Sequence, residues 1–262
     1  MNSMTSPIIR SKIKAVSVHF SISAAIFLVI AYFLLVHWYP YPYFVTDGGW
    51  EGVRLMLFVD VVLGPFLTFL VFDPGKTRRA LIFDLSAIGV VQLIALTWGA
   101  TVVHGKRPVA IIQIYETMQP LEERSFSKQG ISLDLLHQFS DEYPPIIYML
   151  PALSRDELMR QKERLERGIG ENEQFDLYRK FKDNIPQAFE YQLDMQKEVS
   201  ESEQLKQELD ELLAKRNAKL EDFFYMPYLG NYKAAILVFD KEGNLAGALY
   251  SDFNMFRVSK KN

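Results

Sequence analysis

The chain has 262 residues, 49% of them hydrophobic, and its 29 Lys and Arg against 32 Asp and Glu give a net charge of −3. The charge is unevenly divided: residues 1–107 carry 9 basic and 5 acidic side chains, which leaves 20 basic and 27 acidic for 108–262. An acidic second half lacks the basic surface that a phosphate backbone requires, so no nucleic acid is expected as a partner, and the absence of cysteine excludes disulfides, thiolate nucleophiles and thiolate metal sites.

The N-terminal tail 1–14 brings together Arg10, Lys12 and Lys14. It runs into 15–36, a stretch of 22 residues in which His19 is the one side chain that can carry charge near neutral pH. At 1.5 Å per residue such a helix reaches about 33 Å, enough to cross a hydrocarbon core of about 30 Å. Two further stretches of spanning length follow. One is 54–72, interrupted past Arg54 by Asp60 and Thr68; the other is 83–103, with Asp84, Gln92 and Thr97 among its polar members. A single stretch of this kind is equally a buried core helix. Three within the first 104 residues predict a membrane protein with a three-helix transmembrane bundle over 15–104.

Orientation follows from the short loops. Lys76, Arg78 and Arg79 follow the second stretch, on the same side as the basic tail, whereas 37–50 has no Lys or Arg. The positive-inside rule then places the tail and the 73–79 turn in the cytoplasm and everything from 105 onward on the opposite face. Trp38, Tyr39, Tyr41, Tyr43, Phe44 and Trp50 form an expected aromatic belt at the outer interface. The first stretch is read as a retained anchor, because His-Trp-Tyr-Pro-Tyr-Pro follows it where a cleaved signal would have a small-x-small site.

Several polar residues fall inside these stretches. Asp60, Gly64 and Thr68, spaced at i, i+4 and i+8, predict one helical face; it suits either packing among the three spans or docking of a partner's transmembrane helix. Pro65 frees the Val61 carbonyl and predicts a kink there. Asp73-Pro74-Gly75-Lys76 reads as a type II turn, with Lys76, Arg78 and Arg79 facing headgroups. Asp84 is placed to cap the third helix or to pair with Arg78 or Arg79, and Gln92 is a further intramembrane polar group. On the partner-face reading, Gly64→Leu lowers recovery of the partner without changing the level of the protein itself.

The second half, 105–262, predicts an α+β extramembrane domain with a small antiparallel sheet built from its two ends. Residues 108–116 read as a strand and 144–150 as a second. Ser154 with Glu157 is a capping box opening a helix that ends near Gly168. Helices are expected over 173–182, 186–195 and 202–220, so that 154–221 is a helical insertion. Leu205, Leu209, Leu212 and Leu213 form an apolar stripe for the domain core or for a short coiled coil. Residues 233–239 and 245–250, flanking Asp240-Lys241-Glu242-Gly243-Asn244, predict a closing β-hairpin.

Catalysis finds little footing. His19, His37, His104 and His137 are far apart, and no nucleophile elbow, zinc-binding helix or Walker motif occurs. No enzyme activity, cofactor, metal or small-molecule substrate is expected. Three spans are also few for a transporter, and the short cytoplasmic parts leave no room for a signalling output domain.

Several stretches resemble the type IV pilin accessory protein family. They are Trp38-Tyr39-Pro40, Gly48-Gly49-Trp50, Asp60-Val61-Val62-Leu63-Gly64-Pro65, Val71-Phe72-Asp73-Pro74-Gly75-Lys76-Thr77-Arg78-Arg79, then Asp84, Gln92-Leu93 and Arg107-Pro108. The second half is similar more loosely, at Asp176-Leu177-Tyr178 and Tyr225-Met226-Pro227-Tyr228. The resemblance implies a bacterial inner-membrane protein that assists type IV pilus biogenesis by stabilising or chaperoning pilin before assembly. The alternatives are a component of another envelope or secretion complex, or a membrane enzyme that modifies pilin.

Overall fold

The computed structural model describes residues 5–250; the start of the expected tail and the end of the expected second domain lie outside the described residues. The chain divides into two compact units. One comprises Met1–Phe44 and Gly48–Gly105, the other Val45–Asp47 and Lys106–Asn262.

The first unit is helical. Helix α1 (Thr5–Phe33) widens at its end into a π-helical turn, Leu34–Trp38. A single turn, α2 (Tyr43–Thr46), lies in the following connection. Then α3 (Gly49–Met56), a π-helical stretch Leu57–Leu63 and α4 (Gly64–Val71) run on as one helix, and α5 (Arg78–Gly105) completes the unit. Among the described residues three helices are long and apolar enough to cross a membrane: Pro7–Trp38, Gly49–Val71 and Arg78–Gly105. The first and third contain the stretches expected from hydropathy and the second covers 54–72 except Phe72; all three begin earlier than expected, because hydropathy marks residues suited to hydrocarbon whereas the helical hydrogen-bond ladder continues through polar neighbours. Large apolar side chains point outward along them (Leu28 is 66% exposed, Phe83 74%, Trp98 75%), a surface that lipid accommodates and water does not.

Pro65 accounts for the π-helical stretch. It has no N–H, and its ring crowds the carbonyl one turn back, so the preceding turns widen. Gly64 N accordingly donates to Val59 O, five residues earlier. The same pattern at residue 65 leaves Asp60 O without its backbone donor.

The helix ends pack around Leu34, Tyr39 and Met56, joined by Phe27, Trp38, Leu96 and Val103. Tyr39, expected in the aromatic belt, is instead 1% exposed and its hydroxyl donates to Val103 O at 2.7 Å. Tyr41 and Trp50 of that belt are outward, at 63% and 43% exposed.

The second unit is an α+β domain, but its sheet is neither small nor purely antiparallel. Its strands are β1 (Pro108–Ile114), β2 (Thr117–Glu122), β3 (Ile146–Met149), β4 (Tyr178–Lys180), β5 (Phe224–Leu229), β6 (Ala234–Phe239) and β7 (Leu245–Leu249), in the order β4-β3-β1-β2-β5-β6-β7. β1 pairs antiparallel with β2 and parallel with β3; β2 meets β5 in parallel; the other neighbours are antiparallel. The expected antiparallel sheet missed β2, β4 and β5. Pro120 and Pro227 demote β2 and β5 in any reading of propensity, and the three residues of β4 are too few to show a period. β1, buried along its whole length, is an interior strand, third of the seven, as a strand covered on both faces should be.

The helices of this unit are α6 (Glu123–Lys128), α7 (Arg155–Glu166), α8 (Ile185–Ala188), α9 (Met195–Glu201) and α10 (Glu203–Arg216). α7 opens on the expected Ser154/Glu157 capping box and stops before Gly168, whose φ is +79°. The helix expected over 173–182 is instead 3-10 turns followed by β4, so the insertion 154–221 is not wholly helical. Tyr178 anchors that correction: it is 2% exposed and belongs to a core cluster with Ile147 and Met149, so tertiary burial overrides local propensity. The helix expected over 186–195 is only α8, a turn and the start of α9. The leucine stripe of α10 takes its core reading: Leu205 and Leu209 are buried with Ile236, Val238 and Leu249, and Leu212 and Leu213 pack on the same cluster.

Candidate functional site

Two polar constructions stand out, one in each unit. In the helical unit the second helix packs on both others. On one side of the Leu34–Tyr39–Met56 cluster lies an open cavity of about 780 Å³. Ser11, Ala15, Val18, Ile22 and Ile26 line it from α1, and Leu85, Gly89, Leu93 and Leu96 from α5. Their three- and four-residue spacings are those of single helix faces. Asp60, Thr68 and Phe72 line it from the second helix. The result is a groove between two helical walls, apolar along most of its length.

The groove is polar at mid-depth. Asp60 is the central residue of Gly49–Val71, is 4% exposed, and its Oδ2 has no hydrogen-bond partner. An ionisable group at the middle of a bilayer costs roughly 2.5–3.5 kcal/mol on insertion scales. His19 Nδ1 lies 2.6 Å from Thr68 Oγ1, joining α1 to the second helix. Gln92 Nε2 donates to Val59 O and Asp60 O, both at 3.4 Å. Asp60 O is the carbonyl that Pro65 leaves without a backbone donor, so a side chain from α5 supplies the missing group.

Of the residues expected on one helical face, Asp60 and Thr68 line the groove, while Gly64 is turned to α5. A Cβ on Gly64 would stand 2.0 Å from Gln92 Nε2. Gly64→Leu would therefore disturb the protein's own helix packing, which makes it an ambiguous probe of any partner. The bond between His19 and Thr68 leaves no mark in the sequence beyond a lone imidazole in an apolar stretch.

The turn after the second helix is compact. Gly75 N donates to Asp73 Oδ1 at 2.9 Å and Lys76 N to Asp73 O at 3.1 Å. Gly75 is not among the residues with positive φ, so the expected type II turn is absent. Asp73 at the first position and Pro74 at the second suit type I. Asp84 pairs with Lys76 at 2.7 Å, correcting the expected pairing with Arg78 or Arg79, both of which are exposed. The reach of Lys76 back over the turn brings its ammonium to Asp84, and it also donates to Val71 O at 3.1 Å.

The second construction was not foreseen. Asp47 is fully buried at 0% exposure. Its Oδ2 accepts from the Tyr228 hydroxyl at 2.8 Å and the Thr46 hydroxyl at 2.6 Å, and its Oδ1 accepts from Asn231 N at 3.0 Å. Thr46 O accepts from the amides of Tyr232 and Lys233 at 2.9 and 3.1 Å. A Cβ on Gly230 would lie 2.6 Å from both Thr46 O and Lys233 O, so glycine is required for this approach. Burial pushes the Asp47 carboxyl above its ordinary range, against the pull of its three donors. The segment Val45–Asp47 is thus built into the β5–β6 hairpin of the second unit. The signal in the sequence was a lone acid in a loop otherwise free of charge up to Glu51.

Comparison with known proteins assigns the chain to a group. A family model described as "Fimbrial assembly protein FimB" matches residues 7–48. Among relatives, the fimbrial assembly protein of serogroup I from Dichelobacter nodosus is 26% identical over 257 residues, covering 91% of this chain and 95% of the relative. That of serogroup E1 from the same organism is 26% identical over 250 residues. That of serogroups C1 and C2 is 33% identical over 125 residues, 48% of this chain and 92% of the relative. No solved structure matches. The chain belongs to the family of fimbrial assembly proteins, a type IV pilus accessory family.

Proposed function

We propose that this protein is a non-enzymatic accessory factor of type IV pilus biogenesis that holds pilin before assembly. It sits in the bacterial inner membrane, with the basic tail and the 73–79 turn in the cytoplasm and the second unit in the periplasm. The observation that carries the pilus role is likeness to fimbrial assembly proteins along 91% of the chain. The orientation rests on the clustering of Arg10, Lys12, Lys14, Lys76, Arg78 and Arg79 at one end of the helices. The groove supports the holding role, because a membrane-anchored subunit offers a single apolar helix, and a trough between two helical walls is a seat for one. The α+β unit is then available to the subunit's extramembrane head.

Deleting the gene in its own host tests the reading. Pilin level and surface pili should both fall and should return when the full chain is supplied. Normal pilin and normal piliation in the deletion strain overturn it.

A further inference from the structure

The groove runs along α1 from Ser11 to Ile26, about 22 Å at 1.5 Å per residue. Its walls are single faces of α1 and α5, so the occupant that matches it in shape is a third helix laid along both. Apolar walls alone would accept acyl chains equally well; the polar groups at mid-depth distinguish the occupants. His19 and Thr68 face each other at 2.6 Å, and the Gln92 amide donates to backbone carbonyls. Asp60 differs from them: it lines the groove, is 4% exposed, and its Oδ2 has no hydrogen-bond partner. The terminal torsion of a carboxyl group is broad and roughly two-fold, so a small rotation presents either oxygen to the groove. An acyl chain, or a helix with no polar side chain, would leave that group unsatisfied.

We propose that Asp60 is the recognition residue of the groove, and that the occupant is an apolar helix of the pilus subunit carrying one polar side chain at mid-depth, which exchanges a hydrogen bond with Asp60. The inference rests on the function proposed above and adds the chemistry of selection. One polar pair at a fixed depth sets the register of the incoming helix and disfavours helices that lack the group. An acyl chain carries no hydrogen-bonding group at that depth and so does not compete for Asp60.

The test uses the full-length protein in its own host, with the photo-crosslinking residue benzoylphenylalanine replacing either Leu93 on the groove wall or Trp98, 75% exposed and outside it. Yield of the pilin adduct is read by immunoblot and normalised to protein level. Pilin should crosslink at 93 and not at 98. Asp60→Leu should lower the yield at 93 at least fivefold, while Asp60→Asn, which keeps hydrogen-bonding capacity at the same size, should remain within twofold of the unsubstituted protein. An unchanged yield with Asp60→Leu at normal protein level overturns the role of Asp60 and leaves the holding function standing. Absence of a pilin adduct at 93 in the otherwise unsubstituted protein, with lipid adducts only, overturns the holding function itself.

Discussion

The contact between Gly64 and Gln92 gives the sharpest test of the helical unit. A Cβ added at residue 64 would lie 2.0 Å from Gln92 Nε2 and 2.6 Å from its Cδ, so the whole amide must swing away. In doing so it gives up two long donations to Val59 O and Asp60 O, each 3.4 Å. Interhelical hydrogen bonds in membranes average about 0.6 kcal/mol, and overpacking a tight contact costs about 1–3 kcal/mol. Ala in place of Gly returns about 0.5–1 kcal/mol of helix propensity. Gly64→Ala should therefore destabilise by about 2 kcal/mol, read from reversible unfolding in mixed micelles followed by circular dichroism. With Gln92→Ala already in place the obstacle is gone, and the same substitution should be neutral or slightly stabilising. The coupling in the double-mutant cycle is then about 2 kcal/mol. An uncoupled pair, or a Gly64→Ala protein as stable as the parent, would refute this account of the helix approach.

Three further outcomes are expected. Gly230→Ala should destabilise the second unit by about 2–3 kcal/mol, since the new Cβ meets two backbone carbonyls at 2.6 Å that cannot rotate away; a thermal melt of the purified protein reads the loss. Asp47 has a raised carboxyl pKa, so the native state binds its proton more tightly than the unfolded chain does, and stability declines as pH rises from the ordinary carboxylate range through the raised value. Asp47→Asn should remove that decline, and a difference between the two proteins' melting temperatures that stays constant across the same range would contradict it. Leu209→Ala, at 3% exposure in the α10 stripe, should cost about 2–5 kcal/mol by emptying part of the core; a loss below about 1 kcal/mol in denaturant titration would instead place the stripe outside that core.

Much of the architecture was written in local pattern. Long, mostly apolar runs have no stable place in water, so the three helices of spanning length follow from hydropathy alone. The capping box at Ser154, the turn glycine at Gly243 with φ +79°, and the four-residue leucine spacing in α10 are likewise local rules, and each appears where expected. Tertiary structure decided the rest. Nothing near Tyr178 distinguishes β4 from a helix; its burial against Ile147 and Met149 does. Parallel pairing of β1 with β3 joins segments separated by some thirty residues, which no local period records. The polar residues of the spans were each visible, but their partners were not: the widening before Pro65, the reach of Gln92 to Asp60 O, and the turning of Gly64 away from Asp60 and Thr68 depend on how three helices meet. Asp47 shows the same division most plainly, because an acid in a short loop carries no sign of its partners until the fold brings Tyr228 and Asn231 to it. Hydropathy and spacing act between neighbours in the chain; hydrogen-bond satisfaction of a buried group acts between neighbours in space, and only the fold determines who those are.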